Sequence, residues 1–167
     1  MKYIILLQAI IAFAMGVSSM YLVYKLLNIY LKKAFGITEL NAAFAAFQMG
    51  ILIATSLLIS AIVGPGMNAI RFINQADINF GSVSTSLGYV IMFLLIGLLF
   101  SFAVITGGVL VLFQLTHVNE WEEIKKNNIP VAMISAALIV GLSLVMRDHV
   151  AGVCEMLVPY PELMQIR

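Results

Sequence analysis

The chain has 167 residues, of which 62% are hydrophobic and 10% are charged. Soluble globular domains carry about 45–50% apolar and about 25% charged residues, so this composition excludes a soluble domain and predicts an all-α membrane protein. The net charge of +1 leaves no basic footprint for nucleic acid. The lone Cys154 excludes an internal disulfide and a cysteine-rich metal site.

Four apolar stretches are long enough to cross a bilayer as helices, which takes about 20 residues each. In chain order they cover residues 3–31, 38–66, 87–115 and 130–146. The first stretch is too long, and lacks a small-residue cleavage site, for a cleaved signal peptide, so we expect it to be retained. The run Gly64-Pro65-Gly66 predicts a firm end to the second helix.

These stretches predict one membrane domain covering residues 1–167. Its parts are a first hairpin (3–66), an interfacial connection (67–86), a second hairpin (87–150) and an interfacial C-terminal tail (151–167). Polar residues are interspersed with apolar ones in the connection, which predicts a surface loop with a helical turn in the headgroup region.

The two hairpins show an internal repeat. An offset of 87 places Asn41 on Asn128, and small residues of the second stretch on small residues of the fourth. Because each hairpin crosses the membrane twice, both copies share one orientation, and the sequence predicts two tandem hairpins in a parallel repeat. The alternative is that two helices rich in Ala, Gly and Ser align by composition alone.

The distribution of Lys and Arg predicts the orientation. The turns after the first and third stretches carry the pairs Lys32-Lys33 and Lys125-Lys126. Cytoplasmic loops carry an excess of such residues, so we expect these turns in the cytoplasm and both termini outside. The opposite side carries four scattered basic residues: Lys2, Arg71, Arg147 and Arg167.

Small residues recur on one face of the second and fourth stretches, where they let helix backbones approach closely. The predicted packing positions are Ala46, Gly50, Ala54, Ala137 and Gly141. This pattern fits helix contacts within the chain and helix contacts between copies equally.

Polar side chains inside the spans need hydrogen-bond partners, because lipid offers none. They form either links between helices or the lining of a pore, and the candidate lining residues are Gln48, Thr55, Ser56, Ser135 and Ser143. No charged residue lies at the centre of a span, which disfavours a proton-driven pump.

The sequence shows no catalytic constellation. His117, Glu120, Glu122 and Glu123 gather just after the third stretch, but they lack the spacing of metal ligands, so we expect a solvated cap there. No histidine or carboxylate is placed to activate a serine. We therefore expect no enzyme activity, no metal and no cofactor.

Residues 117–128, with Ala132 and the small-residue run from Ala136 to Leu142 that follow them, resemble the bacterial inner-membrane family known as domain of unknown function 350. Members have two similar helical hairpins and a basic, Asn-bearing turn that leads into an Ala/Gly-rich helix. The resemblance implies this architecture and an envelope context, and it implies no activity.

The family turn is also the most polar segment of this chain, which suggests a site for a partner. The candidate partner-binding residues are Trp121, Glu122, Glu123, Lys125, Lys126, Asn127 and Asn128. One hypothesis is a homo-oligomeric envelope component, embedded in the bilayer, that engages an envelope or cytoplasmic protein through this cytoplasmic turn. The alternative is a small oligomeric channel or carrier with a polar, uncharged path. A turn that only caps a helix and anchors it at the headgroups through Trp121 would also explain these residues.

Overall fold

The computed structural model describes residues 2–26, 28–29, 41–74, 79–115 and 119–160, with the backbone alone at positions 2–8 and 113–115. Within these residues the chain is helical and contains no strand. The helices are α1 (Lys2–Leu26), α2 (Ala42–Ile73), α3 (Phe80–Leu115), the short α4 (Glu120–Lys125) and α5 (Ile129–Glu155).

Four of these helices, α1, α2, α3 and α5, are long and apolar enough to cross a membrane. The prediction of an all-α protein with four membrane-spanning helices is therefore confirmed, and the chain is a multi-pass membrane protein. The proposed start of the second helix near Thr38 and the extension of the first to Leu31 lie outside the described residues, and α2 begins at Ala42.

The central helix is α2, which packs against α1, α3 and α5. Of its most apolar residues 56% are buried, against 28% in α5. α2 and α5 run parallel: Gly50 lies against Ala136, and further along the pair the Asn68 amide donates a hydrogen bond to Glu155 (3.1 Å). Both contacts join residues 86 or 87 positions apart, close to the offset of 87 seen in the sequence.

α3 runs antiparallel to α2. Near the end of α2, the Asn74 amide donates to the Ser86 hydroxyl (2.8 Å), whereas Gly97 of α3 lies against Ile59 and Ile62 in the middle of α2. A Cβ at Gly97 would stand 2.9 Å from the Cδ1 atoms of both isoleucines. A larger residue at position 97 would therefore require the two isoleucine side chains to shift.

The buried apolar residues form two clusters along the bundle. One lies near the N-terminal ends of α2 and α5 and contains Ala43, Phe44, Phe47, Ile51, Ala54, Ile124, Ala132 and Ile139. The other lies toward the opposite end and contains Met15, Leu58, Ile59, Ile62, Ala69, Phe93, Val104, Val150, Cys154 and Val158.

The predicted end of the second helix at Gly64-Pro65-Gly66 is wrong. α2 continues through Pro65 to Ile73, and Pro65 and Gly66 are both buried. A Cβ at Gly66 would meet the Phe93 ring at 3.5 Å, so the segment is packed against α3. Ending a helix inside an apolar bundle would leave several backbone groups without partners, whereas one proline removes one donor.

The predicted surface loop at 67–86 and the predicted tail at 151–167 are also shorter than expected. α2 runs to Ile73 and α3 begins at Phe80, while α5 passes the predicted end at residue 146 and continues to Glu155. Buried Val150 and Cys154 explain the extension, since they continue the inward face of α5. Beyond α5, Tyr160 packs edge-on against Phe72 with ring centroids 5.0 Å apart.

Candidate functional site

Residues 119–128, here called the α3–α5 connection, carry the predicted partner-binding residues. Asn119 precedes α4, and a turn at Lys126 and Asn127 leads into α5. Asn127 has φ of +64°, a left-handed conformation that asparagine tolerates better than most residues. The Asn128 side chain caps α5 by accepting from the Val131 N–H (3.4 Å).

Hydrogen bonds tie this connection to the start of α2. The Asn41 amide donates to the carbonyl oxygens of Ile124 (2.9 Å) and Lys125 (3.2 Å). In the opposite direction, the Ala43 N–H donates to Asn127 Oδ1 (3.0 Å). The same Asn41 caps α2, because its Oδ1 accepts from the Phe44 N–H (2.7 Å). The connection is therefore held to the helix bundle by its backbone as well as by its side chains.

Glu123 organises the charged side of the connection. Lys126 Nζ lies 3.1 Å from Glu123 Oε1, and the Asn128 amide donates to Glu123 Oε2 (2.8 Å). These hydrogen bonds, first that from Asn128 and then that from Lys126 together with its positive charge, lower the pKa of Glu123 below its ordinary value of 4.5. Glu123, Lys126 and Asn128 are thus bonded to one another, and Glu122, Lys125 and Lys126 are exposed.

Trp121 packs inward. Its ring meets that of Phe47 edge-on, with centroids 5.3 Å apart, and it is half-buried. Ile124, one turn along α4, is 1% exposed. The contact of Trp121 with Phe47 and the burial of Ile124 show which face of α4 packs against the bundle.

Glu120 corrects the expectation of a solvated cap. Glu122 is exposed and Glu123 half-buried, but Glu120 is 5% exposed, and His117 lies outside the described residues. The reason is the turn of α4: Glu120 precedes Ile124 by four residues and shares its face. In the sequence, the spacing of the apolar residues Trp121 and Ile124 indicates a buried face of α4. Glu120 lies next to these residues, so its burial could have been predicted from them.

The predicted packing positions divide into two groups. Gly50 is in close contact, since a Cβ there would lie 2.7 Å from the Cα of Ala136. Ala54 is buried and Ala46 half-buried. On α5, in contrast, Ala137 and Gly141 are exposed, and a Cβ at Gly141 would meet nothing within 4 Å. The face of α5 that carries Ala137 and Gly141 is therefore exposed within the described part of the chain.

The candidate pore-lining residues lie inside the bundle or at its helix contacts. Thr55, Ser135 and Ser143 are buried, and each hydroxyl donates to a carbonyl of its own helix at 2.9 Å. Ser56 is half-buried and does the same. Gln48 is 5% exposed, and its amide nitrogen has no hydrogen-bond partner among the described residues. Each of these hydroxyls is satisfied by a hydrogen bond within its own helix.

Comparison with known proteins finds a family match for the second half of the chain. Residues 80–159, which contain α3, the α3–α5 connection and α5, match the family described as Domain of Unknown Function (DUF350). No curated protein and no solved structure matches the chain. The turn whose residues resemble this family lies inside the matched segment, so the resemblance is confirmed over residues 80–159.

Proposed function

We propose that this membrane protein is a non-catalytic assembly component of the bacterial inner membrane, which engages a protein partner through the α3–α5 connection on the cytoplasmic side. The observation that carries this proposal is the way in which the connection presents its charges. Glu122 and Lys125 are exposed on a backbone that Asn41 and Asn127 bind to α2.

A rigid, charged surface suits recognition of a protein. Because the connection is already ordered by hydrogen bonds, less conformational entropy is lost when a partner binds. Exposed charges at the rim of an interface control encounter and partner choice more than folding. Lys126 is also exposed but already pairs with Glu123, so a partner would meet Glu122 and Lys125 as exposed charges and Lys126 as part of an ion pair.

The proposed duplication of the hairpins is supported by the two caps. Asn41 caps α2 and Asn128 caps α5, and these residues are related by the offset of 87. One cross-link has no counterpart in the repeat. The Ala43 N–H donates to Asn127, but the offset places Pro130, which has no N–H, on Ala43, and it places Asn127 on a leucine at position 40. Donor and acceptor are thus absent together, as expected for diverged copies.

Homo-oligomerisation is part of the same proposal. Ala137 and Gly141 lie four residues apart on the exposed side of α5, and small residues at this spacing allow close helix contacts within a bilayer. The face is exposed to a second copy, since among the described residues a Cβ at Gly141 would meet nothing within 4 Å.

A charge swap tests the partner surface. Glu122→Lys combined with Lys125→Glu reverses the pattern at the surface while it preserves the net charge and the number of basic residues that determine orientation. We expect normal folded yield and loss of the ability to restore the phenotype of a deletion strain. The matched control is the swap Arg147→Asp with Asp148→Arg, on exposed positions of α5, and it should restore the phenotype fully.

A further variant, Gln48→Leu, tests the channel alternative in the same experiment. Gln48→Leu should leave the phenotype restored if the connection carries the function. If Gln48→Leu abolishes the phenotype or an ion current and the Glu122/Lys125 swap changes neither, the partner surface is rejected in favour of a channel.

A further inference from the structure

Glu120 is a buried carboxylate that the proposed partner surface does not use. Neither of its oxygens has a hydrogen-bond partner among the described residues, and the residue is 5% exposed. Because removing a carboxylate from water is costly, buried carboxylates in proteins are almost always paired with a cation or hydrogen-bonded. The neighbouring lysine, Lys126, pairs with Glu123 instead. Glu120 therefore has two unused acceptor oxygens within the described part of the chain.

A half-open cavity lies beside this carboxylate. Its volume of about 10 Å³ accommodates one group of the size of a water molecule. Val109 and Leu112 of α3 form part of its wall, together with Phe47 of α2 and Ser135 of α5. These walls belong to membrane-spanning helices and are mainly apolar, so the cavity suits a ligand that carries one small polar group at the end of a carbon chain.

We propose that this cavity binds the primary ammonium group of a phospholipid headgroup, as found in phosphatidylethanolamine. Such a group has three N–H donors, and the cavity offers three acceptors, which are the two oxygens of Glu120 and Oγ of Ser135. The Ser135 hydroxyl donates its own proton to the Val131 carbonyl (2.9 Å), which leaves its lone pairs free to accept. One carboxylate also balances the one positive charge.

A primary ammonium group matches the half-open shape of the cavity. Only the –NH₃⁺ group has to leave water, because its fourth bond is to carbon, and the headgroup phosphate stays at the open side. The rings of Phe47 and Trp121 border the cavity, and aromatic rings attract ammonium groups. A trimethylammonium group has no N–H donor and is much larger than a water molecule, so the site discriminates against a choline headgroup.

The depth of the cavity favours a lipid over the side chain of a cytoplasmic protein. Phe47 follows Ala42, the first residue of α2, by five positions, and Ser135 follows Ile129, the first of α5, by six. At about 1.5 Å per residue, both lie roughly 8–9 Å from the helix ends. The 32 residues of α2 span about 48 Å, whereas a bilayer with its headgroups is about 40–45 Å thick. With α2 centred in the bilayer, the cavity lies at the inner edge of the headgroups.

A bound headgroup would join three helices. Glu120 belongs to α4, Phe47 to α2 and Ser135 to α5, so the lipid stabilises the packing of the α3–α5 connection on the bundle. This inference does not depend on a protein partner, because the partner surface is formed by the exposed Glu122 and Lys125. Each proposal is tested by its own variants, and either can fail alone.

Thermal unfolding of the purified full chain in mixed micelles tests the site. Dodecylmaltoside micelles carry increasing fractions of phosphatidylethanolamine or, as the matched lipid, of phosphatidylcholine with the same acyl chains. A ligand that binds the folded state raises Tm, by about 5–10 °C when it is present at about 100 times its Kd. For the wild type we expect this saturating rise with phosphatidylethanolamine and no comparable rise with phosphatidylcholine.

Two variants locate the headgroup. Glu120→Gln removes the charge and nearly conserves the shape, so phosphatidylethanolamine should raise its Tm no more than phosphatidylcholine does. Glu122→Gln is the matched control, because Glu122 is exposed on the same helix, and it should keep the full difference between the two lipids. If Glu120→Gln does not fold, Ser135→Ala removes one acceptor instead and should shift the rise to higher fractions of phosphatidylethanolamine.

Three results would overturn the proposal. Equal responses of the wild type to the two lipids, including none, mean that the ammonium group is not recognised. An undiminished difference between the lipids in Glu120→Gln, or an unchanged midpoint in Ser135→Ala, places the headgroup elsewhere. A Tm that ignores both lipids but rises with butylammonium chloride at constant ionic strength, in the wild type and not in Glu120→Gln, assigns the cavity to a lysine side chain of a protein.

Discussion

At the residue scale, Gly50 lies in a helix contact within the chain, whereas Gly141 lies on an exposed helix face. Both lie on small-residue faces of membrane-spanning helices, but a Cβ at Gly50 would overlap the backbone of Ala136, and one at Gly141 would meet nothing within 4 Å. Gly50→Ala should therefore destabilise the protein by about 1–3 kcal/mol, as overpacking does. Gly141→Ala should cost nothing in the monomer, since alanine favours helix by about 1 kcal/mol over glycine.

The free energy of unfolding in mild detergent measures both changes. The oligomer size of each variant must be measured alongside, because a loss of oligomer in Gly141→Ala would place that face between copies. Equal destabilisation of monomeric Gly50→Ala and Gly141→Ala would contradict the packing described above.

Glu123 gives the α3–α5 connection a pH dependence. Asn128 and Lys126 lower its pKa below 4.5, so its bonds stabilise the fold above the ordinary carboxyl pKa and are lost as the pH falls through the lower, folded-state value. The wild type should be more stable than Glu123→Gln at neutral pH, and the difference should disappear on acidification below 4.5. Tm measured against pH shows this, with Glu122→Gln as the control that follows the wild type. Parallel curves for the wild type and Glu123→Gln would argue against it.

At the scale of helices, Asn41 links the cap of α2 to the connection before α5. Asn41→Asp keeps the capping oxygen but removes the N–H groups that bond the carbonyls of Ile124 and Lys125. We expect a loss of about 1 kcal/mol although aspartate caps helices well. Hydrogen exchange at residues 126–128 should accelerate in Asn41→Asp and stay unchanged in the control Asn74→Asp, which removes an amide donor at the opposite end of α2. If exchange there is unchanged in Asn41→Asp, the cross-link does not order the connection.

The helices themselves follow from hydrophobic length, and their ends do not. Composition and span length predict four crossings because lipid requires about 20 apolar residues for each. Pro65 and Gly66 look like a stop in the sequence, yet packing against Phe93 carries α2 through them. Likewise the charged residues 147–149 suggest an end to α5, but buried Val150 and Cys154 extend it. Tertiary contacts at distant positions decide these ends, and no local pattern contains them.

The candidate site likewise has some features that the sequence predicts and others that it does not. The polarity of residues 119–128 can be read from the sequence, and so can the capping role of Asn128. The bonds from Asn41 and Ala43 cannot, because their partners are 83 or 84 positions away. The burial of Glu120 cannot be predicted in this way, because its residue type alone favours a solvated carboxylate near a membrane boundary.

At the scale of the whole molecule, the orientation in the membrane decides whether the α3–α5 connection can meet a cytoplasmic partner. The parallel arrangement of α2 and α5 places the N-terminal ends of both helices on one side. The lysine pairs precede these helices in the sequence, and we predict from the positive-inside rule that they lie in the cytoplasm. With four crossings, the same prediction puts both termini outside.

Cysteine labelling tests this orientation in cells whose outer membrane has been made permeable. Cys154 is buried and is replaced by alanine, and single cysteines are placed by Glu122→Cys and Met156→Cys at exposed positions on opposite ends of the bundle. Neither substitution alters the number of Lys and Arg residues, so the orientation signal is preserved. An impermeant maleimide should label position 156 in intact inner membranes and position 122 only after lysis. Labelling of 122 before lysis, with 156 protected, would reverse the orientation and move the partner surface outside the cell.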